Sequence, residues 1–199
     1  MSTVIEEISV SDSPTEALTT RERILNKAAE QARSEGLDSI SVNKLMRSVN
    51  LTHGGFYGHF ASRSELVAEA LERALFDGEA NARAAAAQGK PRDFASMVKS
   101  YLSRGHRDSR QSGCAISALA AEVSRGDEAA RKVMEAHIES YFKQVGAALP
   151  DHDEQHAMVA VSAMVGALML SRVYTDTKRS DQLLNQVKAF LTDSFGSGT

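Results

Sequence analysis

The sequence is poor in residues that interrupt helices and in residues that cross-link chains. Its 199 residues include three prolines, no tryptophan and one cysteine. Scarce proline, together with abundant alanine, leucine, glutamate and arginine, favours helices over a β-rich fold. We therefore predict an all-α protein. A single cysteine excludes both an intrachain disulfide and a cysteine-cluster zinc site.

Long hydrophobic runs are also lacking. The richest apolar stretch, residues 157–170, is about 14 residues long and falls short of the roughly 20 that a membrane-spanning helix needs. Near Met1, no basic segment precedes an apolar one as in a secretory signal. The sequence therefore predicts a cytoplasmic protein with no membrane partner.

Acidic residues are absent from one segment of an otherwise mildly acidic chain. The formal net charge is −3, but residues 39–64 contain no Asp or Glu and include Lys44, Arg47 and Arg63. By contrast, the first 18 residues carry four acids and no Lys or Arg, which predicts a disordered acidic tail. The mean charge therefore hides a locally basic module.

This basic module has the pattern of short helices with polar caps. Thr19 and Glu22 have capping-box spacing, and apolar residues then recur at helical intervals as far as Gly36. Ser41 can cap a second helix, and Thr52 can cap a third that runs to about His59. A further capping box, Ser62 and Glu65, starts a longer helix. Two short helices joined by a tight turn after a longer one predict a helix-turn-helix.

Residue types in the third helix suit contact with DNA. A cap at Thr52 leaves backbone N–H groups free for a phosphate, and Gly54 and Gly55 remove side-chain bulk where DNA would approach. Tyr57 and His59 can donate hydrogen bonds to phosphate oxygens. Alternatively, single histidines such as His53 and His59 are solvated or packing residues, and Lys44 and Arg47 form a solvated face.

Arg63 stands in the first turn of the next helix, where the helix dipole disfavours a cation. A nearby phosphate would account for that position.

These segments resemble the DNA-binding domain of the TetR family of transcriptional regulators. The resemblance rests on TRERIL at 20–25, Gly36, Ser41-Val42, LTHGGFYGHF at 51–60 and SRSEL at 62–66. Two positions depart from it, Asn50 where the family usually has glycine and Arg63 where lysine is commoner. Asparagine tolerates a left-handed backbone and arginine keeps the charge.

The resemblance implies site residues and core residues. It places Thr52, His53, Gly54, Gly55 and Tyr57 in the recognition helix, His59 just after it, Arg63 at the start of the fourth helix, and Ser41 and Asn43 at the opening of the second. It assigns Phe56, Phe60 and Leu66 to the core.

The resemblance also implies an organisation for the whole chain. We expect a helix-turn-helix DNA-binding domain over 19–66 and a larger helical ligand-binding and dimerisation domain over 67–199. The expected function is that of a homodimeric repressor, released from a pseudo-palindromic operator by an unknown small-molecule inducer or by thiol modification. Two apolar stripes near the C-terminus would be explained by core packing within one chain, but the resemblance favours a four-helix dimer interface. Its residues are Ala157, Val161, Ser162, Val165, Gly166, Met169, Val173, Leu183, Leu184, Val187, Phe190 and Leu191.

Cys114 is a candidate sensor of oxidants or electrophiles. It falls at a predicted helix start, where free N–H groups stabilise a thiolate. Alternatively, it is an inert core residue, because free cysteines are usually buried. His152 and His156 have a spacing that could hold a metal, but the neighbouring acids also suit a helix start, so we predict neither a metal nor a cofactor.

Two other functional classes compete with a DNA-binding regulator. A thiol-dependent enzyme could pair Cys114 with His106 or His137, although their spacing alone does not bring them together. A helical interaction protein could retain the helix-turn-helix without binding DNA. Salt-dependent binding to a DNA duplex distinguishes the regulator from both.

Overall fold

A computed structural model describes residues 18–87 and 93–196, with side chains over 18–77 and 93–196. Over these ranges every regular element is a helix, which confirms the predicted all-α class. The predicted tail falls almost wholly outside the described residues. The α-helices are α1 (Thr20–Glu35), α2 (Val42–Ser48), α3 (Arg63–Ala87), α4 (Phe94–Tyr101), α5 (Arg104–Asp108), α6 (Ala115–Val123), α7 (Glu128–Ala148), α8 (Glu154–Ser171) and α9 (Thr177–Phe195). A 3₁₀ helix, His53–Gly58, follows α2.

The capping box predicted at the start of α1 is present. Thr19 Oγ1 accepts from the Glu22 N–H at 3.3 Å, and Glu22 Oε2 accepts from the Thr19 N–H at 2.8 Å. The Thr19 hydroxyl also donates to Glu22 Oε2 at 2.8 Å, and this bond, followed by that from the Thr19 N–H, holds the pKa of the Glu22 carboxyl below its ordinary value. The helix ends at Gly36, whose φ of 90° lies in the region that favours glycine.

The turn after α2 depends on a left-handed residue. Asn50 has a φ of 62°, and the N–H of Leu51 reaches the carbonyl of Met46 at 2.8 Å. Asparagine enters this backbone region more readily than most residues. Asn50 therefore turns the chain at the position where the resemblance leads us to expect glycine.

The third helix differs from the expectation of an ordinary α-helix, since residues 53–58 form a 3₁₀ helix. Three of its six residues are glycines, which disfavour α-helix, and short 3₁₀ segments are common as connectors. Ser41 and Thr52 occupy the N-cap positions as predicted, but neither side chain makes a capping hydrogen bond.

Two hydrophobic clusters form the core. The first contains residues of α1, α2, the 3₁₀ helix and α3, which pack against α6. Phe56, Phe60 and Leu66 are buried in it as expected. The second joins α4, α7, α8 and α9. Residue 66, the predicted domain boundary, lies within α3, and the first cluster continues past it to Met134. The boundary itself stays a prediction.

Candidate nucleic-acid interface

The 3₁₀ helix presents polar groups on a hydrophobic anchor. Phe56 is buried, and its ring stacks on Phe60 with 5.6 Å between centroids. This anchor leaves Tyr57 67% exposed, with its ring edge-on to His53 at 6.1 Å. Thr52, Gly54 and Gly55 are also exposed. The structure thus brings these predicted residues together on one outward surface.

The glycines of this surface leave room beside the backbone. A Cβ at Gly54 or Gly58 would meet no atom within 4 Å, and one at Gly55 would come no nearer than 3.7 Å, to Thr52 Oγ1. Packing inside the described chain therefore does not require glycine there. Close approach of an outside molecule remains a reason for small residues at these positions.

The other predicted contact residues border the same segment. Asn43 is exposed in the first turn of α2 and Ser41 is half-buried at its N-cap. His59 is half-buried, and its carbonyl accepts from Arg21 Nε at 3.3 Å. Lys44 and Arg47 are exposed along α2. No acid occurs between residues 39 and 64, so this surface carries only positive formal charge.

Arg63 has a partner that the sequence did not reveal. Its guanidinium donates to the carbonyls of Ile40 at 2.9 Å, Asp38 at 3.3 Å and Leu37 at 3.5 Å. These carbonyl dipoles offset the cost of a cation at a helix start without any phosphate. Arg63 therefore fixes the loop that leads into α2.

Arg21 and Arg23 also support this surface, in roles that the sequence alone did not indicate. Arg21 pairs with Glu69 at 2.5 Å and lies over the Phe60 ring at 4.7 Å, and Arg23 Nη2 donates to the Val49 carbonyl at 3.0 Å. The Glu69 hydrogen bond holds the pKa of Arg21 above its ordinary value. The only sequence signal was the presence of two arginines in the first turn of an otherwise amphipathic helix.

Cys114 lies away from this surface, at the N-cap of α6, and is half-buried. Its backbone N–H donates to His106 Nε2 at 3.0 Å, while His106 Nδ1 lies 2.8 Å from the Tyr101 carbonyl. Because Nε2 accepts, the neutral ring must carry its proton on Nδ1 and donate it to that carbonyl. Burial lowers the pKa of His106, which favours this neutral form.

This arrangement leaves the thiol-enzyme alternative without its base at His106, because both ring nitrogens already have backbone partners. Burial raises the pKa of Tyr101, and the neighbouring Cys114 side chain raises it further. The Tyr101 hydroxyl is buried beside the Cys114 side chain.

The other polar clusters of the C-terminal part are local structures. His156 Nδ1 lies 2.7 Å from an oxygen of Asp151, and His152 Nδ1 lies 3.3 Å from the Gly146 carbonyl. Within residues 18–77 and 93–196, no group of three or more potential ligands is placed to hold a metal ion. Over the same part of the chain no helix is long and apolar enough to cross a bilayer.

Comparison with known proteins gives two family matches. Residues 24–70 match the family described as bacterial regulatory proteins, tetR family, and residues 92–189 match the C-terminal domain of LmrA/YxaF-like transcriptional regulators. No curated protein matches the chain in sequence.

Solved structures with this fold are transcriptional regulators of low sequence identity. E. coli NemR in its reduced form is 20% identical with a TM-score of 0.70, over 90% of this chain and 98% of its own. A TetR-family regulator from Cytophaga hutchinsonii is 20% identical with a TM-score of 0.73, over 90% and 96%. A regulator from Saccharomonospora viridis in complex with choline is 13% identical with a TM-score of 0.69, over 88% and 96%.

Proposed function

The chain belongs to the TetR family of transcriptional regulators, and from that premise we propose that it is a homodimeric repressor acting on a pseudo-palindromic operator in the cytoplasm. The observation that carries this proposal is the outward surface of the 3₁₀ helix. There Tyr57 and His53 are exposed on a buried Phe56 anchor, within a segment free of acids. Thr52, Gly54 and Gly55 let the backbone approach the DNA.

Each residue has a role in this proposal. Tyr57, His53 and His59 donate hydrogen bonds to phosphates or base edges, and Ser41 and Asn43 contact the phosphate backbone beside α2. Thr52 offers its hydroxyl and the free N–H groups of the helix start. Arg63 acts by holding the loop at 37–40, so it positions Ser41 rather than touching DNA directly.

The homodimer rests on an uncovered apolar face of α8 and α9. α8 is apolar on all sides, and its inward residues, which include Ala157 and Val161, are buried within the chain. On the outside, Val159 is 53% exposed and Leu170 57%. Phe190 of α9 is 62% exposed. Large apolar side chains exposed on two helices that pack on each other support an association site there. Ala157, Val161, Leu184 and Leu191, which we expected at the interface, instead belong to the core of one chain.

Dimerisation matters because recognition of an inverted repeat requires two reading surfaces. Two recognition elements about 34 Å apart reach half-sites one DNA turn apart. Anything that changes their separation changes operator affinity, provided that it binds the two arrangements unequally. We therefore place the inducer response in the C-terminal domain.

Selection of bound duplexes from a randomised DNA library tests the proposal directly. We expect enrichment of an inverted repeat with half-sites about one turn apart, and affinity that falls steeply with salt. The purified full-length protein at near-physiological salt is the reagent. If no sequence is enriched and no duplex binds at low salt, the chain is instead a helical interaction protein.

Release by a small molecule or by thiol modification is the second part of the proposal. The S. viridis regulator holds choline in the same fold, and the E. coli relative is described in a reduced form, which supports both routes. In this chain, Cys114 is half-buried at the N-cap of α6 and lies near Arg172. A thiolate adds to an electron-poor C=C bond, forming a C–S bond while the neighbouring carbon takes a proton.

A Cys114→Ser variant separates the two routes. We expect N-ethylmaleimide to release the unmodified protein from its operator and to leave the variant bound. If the variant is released equally, Cys114 is not the sensor and a non-covalent inducer carries the response.

A further inference from the structure

A cleft of about 530 Å³ lies where the end of α1 meets α6 and the end of α8. Residues 33–36 at the end of α1 line it, together with Ser117 and Ala118 of α6. Met169, Leu170 and Val173, at the end of α8, provide an apolar side. A neighbouring cleft of about 270 Å³ shares two of its residues, Arg110 and Arg172. Clefts of this size accommodate small-molecule ligands.

Arg172 is a half-buried cation whose hydrogen bonds all go to neutral oxygens. It donates to the carbonyls of Arg107 at 3.1 Å and His106 at 3.2 Å, and to Ser117 Oγ at 3.1 Å. Burial lowers the pKa of its guanidinium, and the nearby charge of Arg110 lowers it further. Three donors on neutral acceptors fix the position of the group but leave its charge without a hydrogen-bonded carboxylate.

Arg110 brings a second cation to the same place. It is exposed, and within the described residues its side chain makes no hydrogen bond, while the Asp108 carboxylate attracts it at longer range. The remaining arginines around the two clefts differ in this respect. Arg33 pairs with Asp77 at 3.4 Å, and Arg107 pairs with Asp181 at 2.8 Å and with Asp108 at 2.7 Å.

Acidic groups near the clefts make no hydrogen bond to this pair among the described residues. The Asp108 carboxylate attracts both Arg172 and Arg110 at longer range, but its hydrogen bonds come from Arg107. Glu35 lines the larger cleft and is exposed. The two arginines therefore leave a positive charge beside an apolar wall.

We propose that this cleft is a binding site for a small amphipathic anion. Its carboxylate or phosphate would bind between Arg110 and Arg172, and its apolar portion would pack on Met169, Leu170 and Val173. A guanidinium fork suits planar bidentate recognition of such an anion. Leu170 also belongs to the exposed face assigned to the dimer, so the cleft opens at the edge of that face.

The surroundings of the site connect it to the N-terminal helices. Gly113 allows Arg172 to approach the loop before α6, since a Cβ there would lie 3.0 Å from Arg172 Nη2 and 2.7 Å from the Ser109 carbonyl. The same loop presents the Gln111 carbonyl to Arg33 Nε on α1, and Arg33 also donates to the Ala74 carbonyl of α3 at 3.2 Å. An anion that binds Arg110 therefore contacts the loop that is hydrogen-bonded to Arg33 of α1. This coupling, unlike the site, rests on the proposed function.

Calorimetric titration of the full-length protein with octanoate tests the site, with octanamide as the uncharged probe of equal length. We expect octanoate to bind at least about tenfold more tightly than octanamide, because the charged hydrogen bonds are lost with the amide. Arg110→Gln should weaken octanoate binding by a similar factor. Arg125→Gln, the same change at an exposed arginine of the α6–α7 turn, is the matched control and should leave it unchanged.

Arg172→Lys provides a second variant that keeps the charge but loses the fork, and its circular dichroism melting curve reports whether it folds. Undetectable octanoate binding, equal binding of the two probes, or unchanged binding in Arg110→Gln would overturn the proposed site.

A separate titration of operator DNA in saturating octanoate tests the coupling, with an expected loss of affinity of about fivefold or more. If octanoate binds but operator affinity does not fall, the proposed site is supported and the proposed coupling is wrong. Octanoate binding by a protein that binds no DNA would instead refute the proposed function.

Discussion

Tyr57 and its neighbour Phe56 are both aromatic, but Tyr57 extends from the 3₁₀ helix into solvent while Phe56 is buried. The ring of Phe56 anchors the helix, so the Tyr57 hydroxyl is available to an outside partner. We expect Tyr57→Phe to weaken operator binding about two- to tenfold, the effect of one hydrogen bond. The salt dependence should not change, because no charge is lost.

Fluorescence anisotropy of a labelled operator measures both quantities for this variant. Tyr174→Phe is the matched control, since Tyr174 is 45% exposed and lies beyond the end of α8. Equal affinity of the Tyr57 variant and the parent protein would remove this hydroxyl from the interface.

His106 makes stability depend on pH in a defined direction. Burial lowers its pKa below the ordinary 6.5, so the unfolded state takes up a proton more readily than the folded state. Its contribution is therefore present above about pH 6.5 and is lost as pH falls towards the folded-state pKa. A protonated ring also cannot accept the Cys114 N–H.

Urea unfolding at a series of pH values from about 7.5 to 5.5 measures this effect. We expect the parent protein to lose more of its free energy of unfolding on acidification than His106→Gln, which has no titrating ring. Parallel pH curves for the two proteins would show that the site does not hold a neutral histidine.

At the scale of elements, the start and end of α1 were predictable because caps and glycines act locally. Thr19, Glu22 and Gly36 set the ends of α1 through hydrogen bonds to adjacent backbone. The type of the third helix was not predictable from its capping residue, since three glycines make its helical form depend on packing around Phe56. Arg63 shows the same limit, because its partners lie 23 to 26 residues away.

Periodicity also could not choose the inward face of α8. A helix that is apolar all round has no preferred side, so the spacing of Ala157 and Val161 suited the core as well as an interface. Only the packing of α7 and α9 on α8 decides which side is covered. The arginine pair at the cleft escaped detection for a similar reason, as Arg110 and Arg172 are 62 positions apart in the chain.

The end of α1 is an element boundary that tolerates only glycine. Gly36 has a φ of 90°, and a Cβ there would lie 3.1 Å from Glu122 Oε2. That carboxylate accepts the N–H groups of Leu37 and Asp38, each at 3.0 Å, and so ties the loop to α6. We expect Gly36→Ala to lower the free energy of unfolding by about 1–3 kcal/mol through strain and weaker bonds to Glu122.

Gly54→Ala is the contrasting substitution, because Gly54 has open space around it and no positive φ. It should leave stability equal or slightly higher while weakening operator binding, since the added methyl faces the DNA. Thermal unfolding and operator titration of both variants give the comparison. If Gly36→Ala had the same free energy of unfolding as the parent protein, a side chain at residue 36 would cause no strain in the loop after α1, contrary to this prediction.

At the scale of the whole molecule, the proposed function depends on a homodimer, and its proposed interface is testable with one residue type. Phe190 on α9 is 62% exposed and Phe76 on α3 is 57% exposed. Glutamate at either position replaces an exposed aromatic ring with a charge. The two variants therefore differ only in the helix that carries the change, and Phe76→Glu is the control for Phe190→Glu. We expect Phe190→Glu to shift the protein from dimer to monomer, because burying a charge in an apolar interface is costly.

Analytical ultracentrifugation reports the mass of each variant, and operator titration reports the consequence. Loss of the dimer should lower affinity for the full inverted repeat much more than affinity for a single half-site, because the second binding event is no longer intramolecular. Phe76→Glu should remain a dimer and bind both fragments as the parent protein does. A dimeric Phe190→Glu, or a monomeric Phe76→Glu, would place the interface elsewhere and require a different geometry for the two reading surfaces.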